Sequence, residues 1–285
     1  MNRPADANSL LHEVDFLVVD VETTGLSAAR GDRICEIGAV KIRGGEIRDS
    51  FGTLINPGRP IAPAASAVNH ITDAMVSRAP RFADALPSLL PLLRGSVIVG
   101  YNAEFDLSFL RNEFLLAGRQ WENHRMVDTL ALARKLLPGL RKYPQEFVAG
   151  IVGLAFPVKH RALEDATMTA TLFTLFTSML RSHGVEQFAD VLRPDLITLL
   201  CAKRRALIDT ALRNGNNLWI KYLSPSANGI SSRVITPIGC STAAGNVSAD
   251  TMVVGFCHTA REERTFRLDR ILDLRLIHTL PRVSE

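Results

Sequence analysis

Phe16-Leu17-Val18-Val19-Asp20-Val21-Glu22-Thr23-Thr24-Gly25 is the stretch on which the fold turns. Four apolar residues in succession read as a buried strand, and the run passes directly into an acid-x-acid triplet. Side chains alternate along a strand, so Asp20 and Glu22 project from one face. Two adjacent carboxylates repel each other. A dication between them removes the repulsion, and an all-oxygen ligand set suits Mg²⁺ or Mn²⁺. Gly25 allows a tight turn immediately afterwards. Taken alone, such a triplet is more often a solvated strand face.

Two later motifs supply further acids. Val97-Ile98-Val99-Gly100 reads as another buried strand, followed by Tyr101-Asn102-Ala103-Glu104-Phe105-Asp106. Asn102 is placed to cap a helix running to about Leu116 and ending at Gly118, with Asp106 about one turn inside it. Phe105, Leu107, Phe109, Leu110 and Phe114 can pack that helix on a sheet, so an acid among them needs a charged or polar neighbour, or else a surface position. The third motif is His160-Arg161-Ala162-Leu163-Glu164-Asp165-Ala166. It opens an amphipathic helix from about Ala162 to Arg181, ending at Gly184. Asp165 lies in the first turn and His160 on the preceding loop, where an imidazole can reach a water and accept its proton.

Three motifs in this order resemble those of the DnaQ-like exonucleases of the DEDD superfamily, in the histidine subgroup. The spacing of His160 and Asp165 matches that subgroup; a tyrosine would replace His160 in the other. Val68-Asn69-His70-Ile71-Thr72 and Val127-Asp128-Thr129-Leu130 are also family-like, and Tyr101 departs from a histidine common at that position. The resemblance spans roughly residues 14–183. It implies an RNase H-like α/β fold, a mixed sheet flanked by helices. It further implies that Asp20, Glu22, Asp106 and Asp165 hold two divalent cations, Mg²⁺ or Mn²⁺, and that His160 deprotonates the attacking water. Substrate contacts would come from Thr23, Thr24, Leu26, Asn69, His70, Asn102 and Phe105. From the residues alone, Thr23 also suits a turn bonding its own backbone, Phe105 simple core packing, and His70 a capping role.

The 285 residues fit one large domain or two modest ones, and 47% hydrophobic residues is ample for a packed core. No apolar run approaches the length needed to span a bilayer. Residues 1–13, without an apolar signal core, read as a disordered lead. Cys35, Cys201, Cys240 and Cys257 show no zinc or redox spacing, which points to reduced thiols and a cytoplasmic location. Residues 201–285 hold 12 Lys or Arg against 7 Asp or Glu, whereas residues 1–200 hold 21 against 22. The basic excess at the C-terminal end suits an anionic partner.

Past Gly184 the pattern stays helical through Val185–Val191 and Pro194–Cys201, a helical connector over residues 184–201. A further amphipathic helix is expected at Ala202–Arg213. The period then changes to strand: Leu218–Leu223, a turn at Ser224–Gly229, Ser231–Ile238, Thr251–Cys257 and Glu263–Leu268. A helix followed by short strands suggests a small bent sheet or open barrel. Residues 202–285 resemble a WYL domain, through the Trp219–Tyr222 strand, Arg233 with Pro237, and Arg264–Ile271. The resemblance implies a second, smaller SH3-like β-barrel whose pocket takes nucleic acid or a nucleotide-like ligand. Tyr222, Arg233, Arg264, Arg267 and Arg270 would be its contacts, because Arg pairs with phosphate and aromatics stack on bases. Alternating Arg on a strand also suits a solvated face.

Together the resemblances imply a metal-dependent 3′→5′ exonuclease acting on single-stranded ends, DNA in the first place, with a regulatory or strand-gripping second domain. An RNA-trimming exonuclease is one alternative. A regulatory nucleic-acid-binding protein, using a nuclease fold only for recognition, is another.

Overall fold

The computed structural model describes residues 6, 8–155, 160–224, 229–241 and 251–277. Residues 225–228 of the expected turn lie outside them. The chain forms two compact units: Met1–Ala131 with Ala155–Leu175 and Gln187–Ala189, and Leu132–Leu154 with Phe176–Glu186 and Asp190–Glu285. This division differs from an expected boundary near residue 183, because Leu132–Leu154 groups with the second unit; Lys135, for example, donates to the Arg193 carbonyl at 3.0 Å.

The first unit is built on a five-stranded sheet of β1 (Phe16–Thr23), β2 (Ile34–Arg43), β3 (Glu46–Leu54), β4 (Val97–Gly100) and β5 (Met126–Asp128), in the order β3-β2-β1-β4-β5. β1, β2 and β3 pair antiparallel, whereas β4 and β5 run parallel to β1. The helices that follow in the chain are α1 (Pro63–Asn69), α2 (Asp73–Val76), α3 (Phe82–Leu93), α4 (Glu104–Leu116), α5 (Thr129–Leu136), α6 (Gln145–Ile151), α7 (Ala162–Ser182) and α8 (Phe188–Val191); α1 to α4 belong to the first unit, α6 to the second, and α5, α7 and α8 are divided between the two. This is the mixed sheet flanked by helices that the sequence led us to expect.

β1 reads as a continuous apolar run because both of its faces are covered. Leu17, Val19 and Val21 join a core with Leu86 and Leu89 of α3 and Leu107, Leu110 and Phe114 of α4. Phe16 points the other way and meets Phe173 of α7 edge-on, ring centroids 4.7 Å apart. Asp20 and Glu22 share that second face by alternation. The acid pair is therefore anchored by its own strand: each buried Leu or Val beside it contributes roughly 1.5–3 kcal/mol. The lead expected to be disordered to residue 13 is ordered by residue 9. The Ser9 carbonyl accepts from the Phe188 N–H at 2.9 Å, Leu10 bridges Gln187, and Leu11 is buried.

In the second unit α9 (Leu196–Asn214) is one helix closed by Gly215 at φ 65°. The two helices expected on either side of residue 201 are thus continuous, since neither Gly nor Pro interrupts 196–214. β6 (Asn217–Ser224), β7 (Gly229–Ser241), β8 (Met252–Cys257), β9 (Glu262–Arg267) and β10 (Ile271–Ile277) form an antiparallel sheet in the order β10-β6-β7-β8-β9. Cys201, Ile208 and Ala211 of α9 pack with Leu218, Ile220, Ile235, Val253 and Phe266. The closed SH3-like barrel is not present among the described residues, because no ladder joins β9 to β10. A short 3-10 turn, Leu268–Arg270, intervenes instead, and the buried Arg204 of α9 donates to its Leu268 carbonyl at 2.8 Å. Among the described residues no helix is long and apolar enough to cross a membrane.

Candidate active site

Asp20 and Glu22 stand at the end of β1, where the register with β2 shifts between Glu22 and Thr23. Asp106 reaches the same place from α4, and its Oδ1 accepts the Val21 N–H at 2.9 Å in a buried setting. Asp165 comes from the first turn of α7. Its Oδ2 accepts the N–H of His160 at 2.8 Å, which closes the loop back on the helix. His160 is exposed, with φ 58°, an uncommon conformation for a residue with a side chain. Ligand-type atoms of Glu22, His160 and Asp165 all lie within 4.8 Å of one another.

The electrostatics of this group are lopsided. Burial, then the charges of Asp106, Asp165, Glu22 and Glu36, hold the Asp20 carboxyl well above the usual carboxylate range. Burial, with the charges of Asp165 and Glu36, pushes Glu22 up to about 7. Burial raises Asp106 to about 8 against the opposing Val21 N–H bond, and it raises Asp165 as well. Four acids whose ionised forms are all disfavoured, gathered from β1, α4 and α7, form a donor set that a divalent cation satisfies. One consequence is testable. Carboxyls whose folded pKa is raised contribute stability that is full below their unfolded values, near 4, and lost as pH rises through about 7 to 8. Metal-free protein should therefore melt at a lower temperature at pH 8 than at pH 5, and saturating Mn²⁺ should remove most of the difference. A metal-free melting temperature that is flat or rising over this range would contradict that account.

The other expected contacts are mixed. Leu26 is 87% exposed on the turn after β1, open to a ligand. The Thr23 hydroxyl is occupied within its own turn, donating to the Gly25 carbonyl at 2.6 Å, and Thr24 Oγ1 accepts the Arg33 N–H at 3.1 Å. Asn69 is buried; its side-chain amide lies 3.4 Å from the Thr23 carbonyl and also supports the Glu22 carboxylate. His70 closes α1 in a left-handed conformation, as a cap. Asn102 does not cap α4 through its side chain. It takes φ 64°, and its backbone N–H donates to Asp128 Oδ1 at 3.0 Å; the helix follows from an Ala103 N-cap with no side-chain bond. Phe105 is half-buried against the core and beside Phe109, centroids 5.1 Å apart.

Residues that were not picked out from the sequence complete the site. Glu36 on β2 is the register partner of Glu22 and only 5% exposed. It receives the fork of Arg161, with Nη2–Oε1 at 2.6 Å and Nε–Oε2 at 3.0 Å, and the Ala162 N–H at 3.0 Å. Buried Glu113 of α4 takes both Nε and Nη2 of Arg33 at 2.7 Å, tying the Asp106 helix to the start of β2. The available signal was an acid inside an apolar run, Ile34-Cys35-Glu36-Ile37, which requires a partner without naming it. Cys35 itself is fully buried, and burial, with the Glu22 and Glu36 charges, pushes its thiol up to about 12.

Gly38, paired with Asp20, permits this assembly. A Cβ there would stand 2.2 Å from the Ala162 carbonyl oxygen. Gly38→Ala should displace the start of α7, lowering stability by roughly 1–3 kcal/mol in denaturant melts and slowing any chemistry at Asp165. Stability and turnover equal to the unsubstituted protein would show that the close approach is not required.

Residues 17–173 match the family described as Exonuclease, and residues 205–276 match the WYL domain. With its acids and His160 so spaced, the chain belongs to the exonuclease family, as a DnaQ-like member of the DEDDh class, followed by a WYL domain. It is 42% identical over 177 residues to the DNA polymerase III subunit epsilon of Treponema pallidum, across 61% of this chain and 80% of that one. It is 38% identical over 227 residues to the PolC-type DNA polymerase III of Thermotoga maritima, across 75% of this chain. The chain spans only 16% of the length of that polymerase. The solved structure of E. coli exonuclease I in complex with a dA16 oligonucleotide shares the fold, with a TM-score of 0.53 and 17% identity over 93% of this chain and 63% of that one.

Proposed function

We propose that this protein is a divalent-metal-dependent exonuclease that removes nucleotides from the 3′ ends of single-stranded DNA. The observation that carries the reading is a cluster of four carboxyls with raised pKa values, two of which, Glu22 and Asp165, lie with the His160 imidazole within 4.8 Å of one another. Asp20, Glu22, Asp106 and Asp165 would hold a pair of Mg²⁺ or Mn²⁺ ions, which when bound polarise the scissile phosphate and its attacking water. His160 accepts the water's proton from its exposed loop. Asp165, by holding the His160 backbone, ties the position of the base to the position of a ligand. Leu26 offers an apolar surface to the terminal base. The epsilon subunit and the DNA-bound exonuclease I among its relatives support DNA as substrate and a bacterial DNA-processing role.

The test is a time course on end-labelled DNA and RNA oligomers with Mg²⁺, Mn²⁺ or chelator. A 5′ label should yield a descending ladder on DNA, and a 3′ label should be released as mononucleotide at once. Release of mononucleotide from a 5′ label would reverse the polarity, faster loss of RNA would change the substrate, and no metal-dependent cleavage would leave a binding protein.

For the WYL domain we propose a site for a phosphate-bearing nucleotide or nucleic-acid ligand centred on Tyr222, Arg233 and Arg270. Among the described residues the Arg233 Nε, Arg270 Nε and Ser231 Oγ atoms are buried without a hydrogen-bond partner, which supports a ligand with acceptor oxygens. Arg264 and Arg267 are engaged otherwise, with Glu262 at 2.5 Å and Asp269 at 2.8 Å. Arg233→Gln with Arg270→Gln should weaken oligonucleotide binding and flatten its salt dependence by roughly one unit of slope per lost phosphate contact. An unchanged slope would remove these residues from the grip.

A further inference from the structure

We propose that Arg161 is a positioning residue. Its guanidinium holds Glu36 away from the acid cradle and thereby fixes the loop that presents His160. The proposal rests on the nuclease reading for its kinetic consequence and on geometry alone for its structural one.

Glu36 is a fifth acid at a site that uses four. It lies directly across the β1–β2 ladder from Glu22, and it is buried. Like charges facing each other across strands destabilise a sheet, and a buried carboxylate without a partner is worse still. Arg161 answers both. Its Nε reaches Oε1 at 3.1 Å and Oε2 at 3.0 Å, its Nη2 reaches Oε1 at 2.6 Å, and the neighbouring Ala162 N–H takes Oε2 at 3.0 Å. Both oxygens of Glu36 are thus engaged by the α7 side. A forked guanidinium sets orientation as well as charge, which a lysine ammonium does not.

The pair also acts on the loop. Arg161 sits between His160, at φ 58°, and Ala162, the first residue of α7. Two braces therefore meet within six residues: Glu36 on Arg161 and Ala162 from the sheet, and Asp165 on the His160 N–H from the helix. Gly38 gives the same segment room to lie against β2. If Arg161 is removed, Glu36 is released beside Glu22 as a competing ligand, and the left-handed turn at His160 loses its outer anchor.

The test uses the full chain with Arg161→Ala, Arg161→Lys, Glu36→Gln and the double variant Glu36→Gln/Arg161→Ala. In metal-free protein, amide hydrogen exchange at residues 160–165 should quicken by about 10-fold or more in Arg161→Ala, with the β1 and β2 amides unchanged. On labelled DNA, kcat should fall by roughly 10–100-fold with KM little altered. Arg161→Lys should fall between, and the double variant should lose less than the product of the single losses, because removing the Glu36 charge relieves what the loss of Arg161 exposes. Exchange at 160–165 equal to that of the unsubstituted protein, or single losses that multiply in the double variant, would overturn the proposal. Should Arg161→Ala fail to fold, Arg161→Lys carries the same comparison. If the unsubstituted protein cleaves nothing, the nuclease reading fails, and the exchange data still decide whether the clamp exists.

Discussion

Asp20→Asn should abolish measurable strand cleavage, a loss on the order of 10³-fold or more, while raising the melting temperature of the metal-free protein. The two effects have one origin. Asp20 is surrounded by Asp106, Asp165, Glu22 and Glu36, and burial leaves those charges poorly screened. The amide is nearly the same shape and carries no charge, so it relieves the repulsion that the folded chain sustains. The same amide is a poor ligand for a hard dication, so the chemistry is lost. Activity should be followed by release of label from single-stranded DNA, and stability by thermal melts in chelator and in Mn²⁺. In chelator the variant should melt higher; in Mn²⁺ the advantage should shrink or reverse, because the carboxylate then has a partner. A variant that both cleaves at the normal rate and melts normally would separate Asp20 from metal binding altogether. A variant that is inactive but less stable in chelator would point instead to a packing role for the side chain.

His160→Ala is expected to act differently. The imidazole is exposed and outside the core, so its removal should leave the melting temperature and the stabilisation by Mn²⁺ almost unchanged. The rate should drop by about 10²–10⁴-fold, the contribution of a positioned base. Retention of the full rate would move proton transfer elsewhere. A large loss of the metal-induced stabilisation would recast His160 as a ligand, a role its nitrogen could fill within 4.8 Å of Glu22 and Asp165.

The acids of this site were legible because their signals are local. Asp20 and Glu22 declare a shared face through strand alternation, and Asp106 and Asp165 through their places in the first turns of amphipathic helices. Glu36 and Glu113 were not legible, although each is an acid in an apolar setting. Their partners lie 125 and 80 residues away, and nothing local specifies such pairings. The same reason explains Asn102. Its preference for capping was read from its neighbours, whereas its left-handed backbone is secured by Asp128 from β5. In the second unit the strands were visible from their period, but barrel closure depends on whether β9 meets β10. Among the described residues they do not pair, and the buried Arg204 donates to the Leu268 carbonyl in the turn between them, a contact that no periodicity announces.

Cys35 lies sealed beside Glu36 on β2. A sulfhydryl held at about 12 between burial and two acids exposes almost no nucleophile at neutral pH. Peroxide or alkylating reagents should therefore spare the strand that carries Glu36. Rapid labelling of Cys35 by iodoacetamide in the folded protein would contradict this.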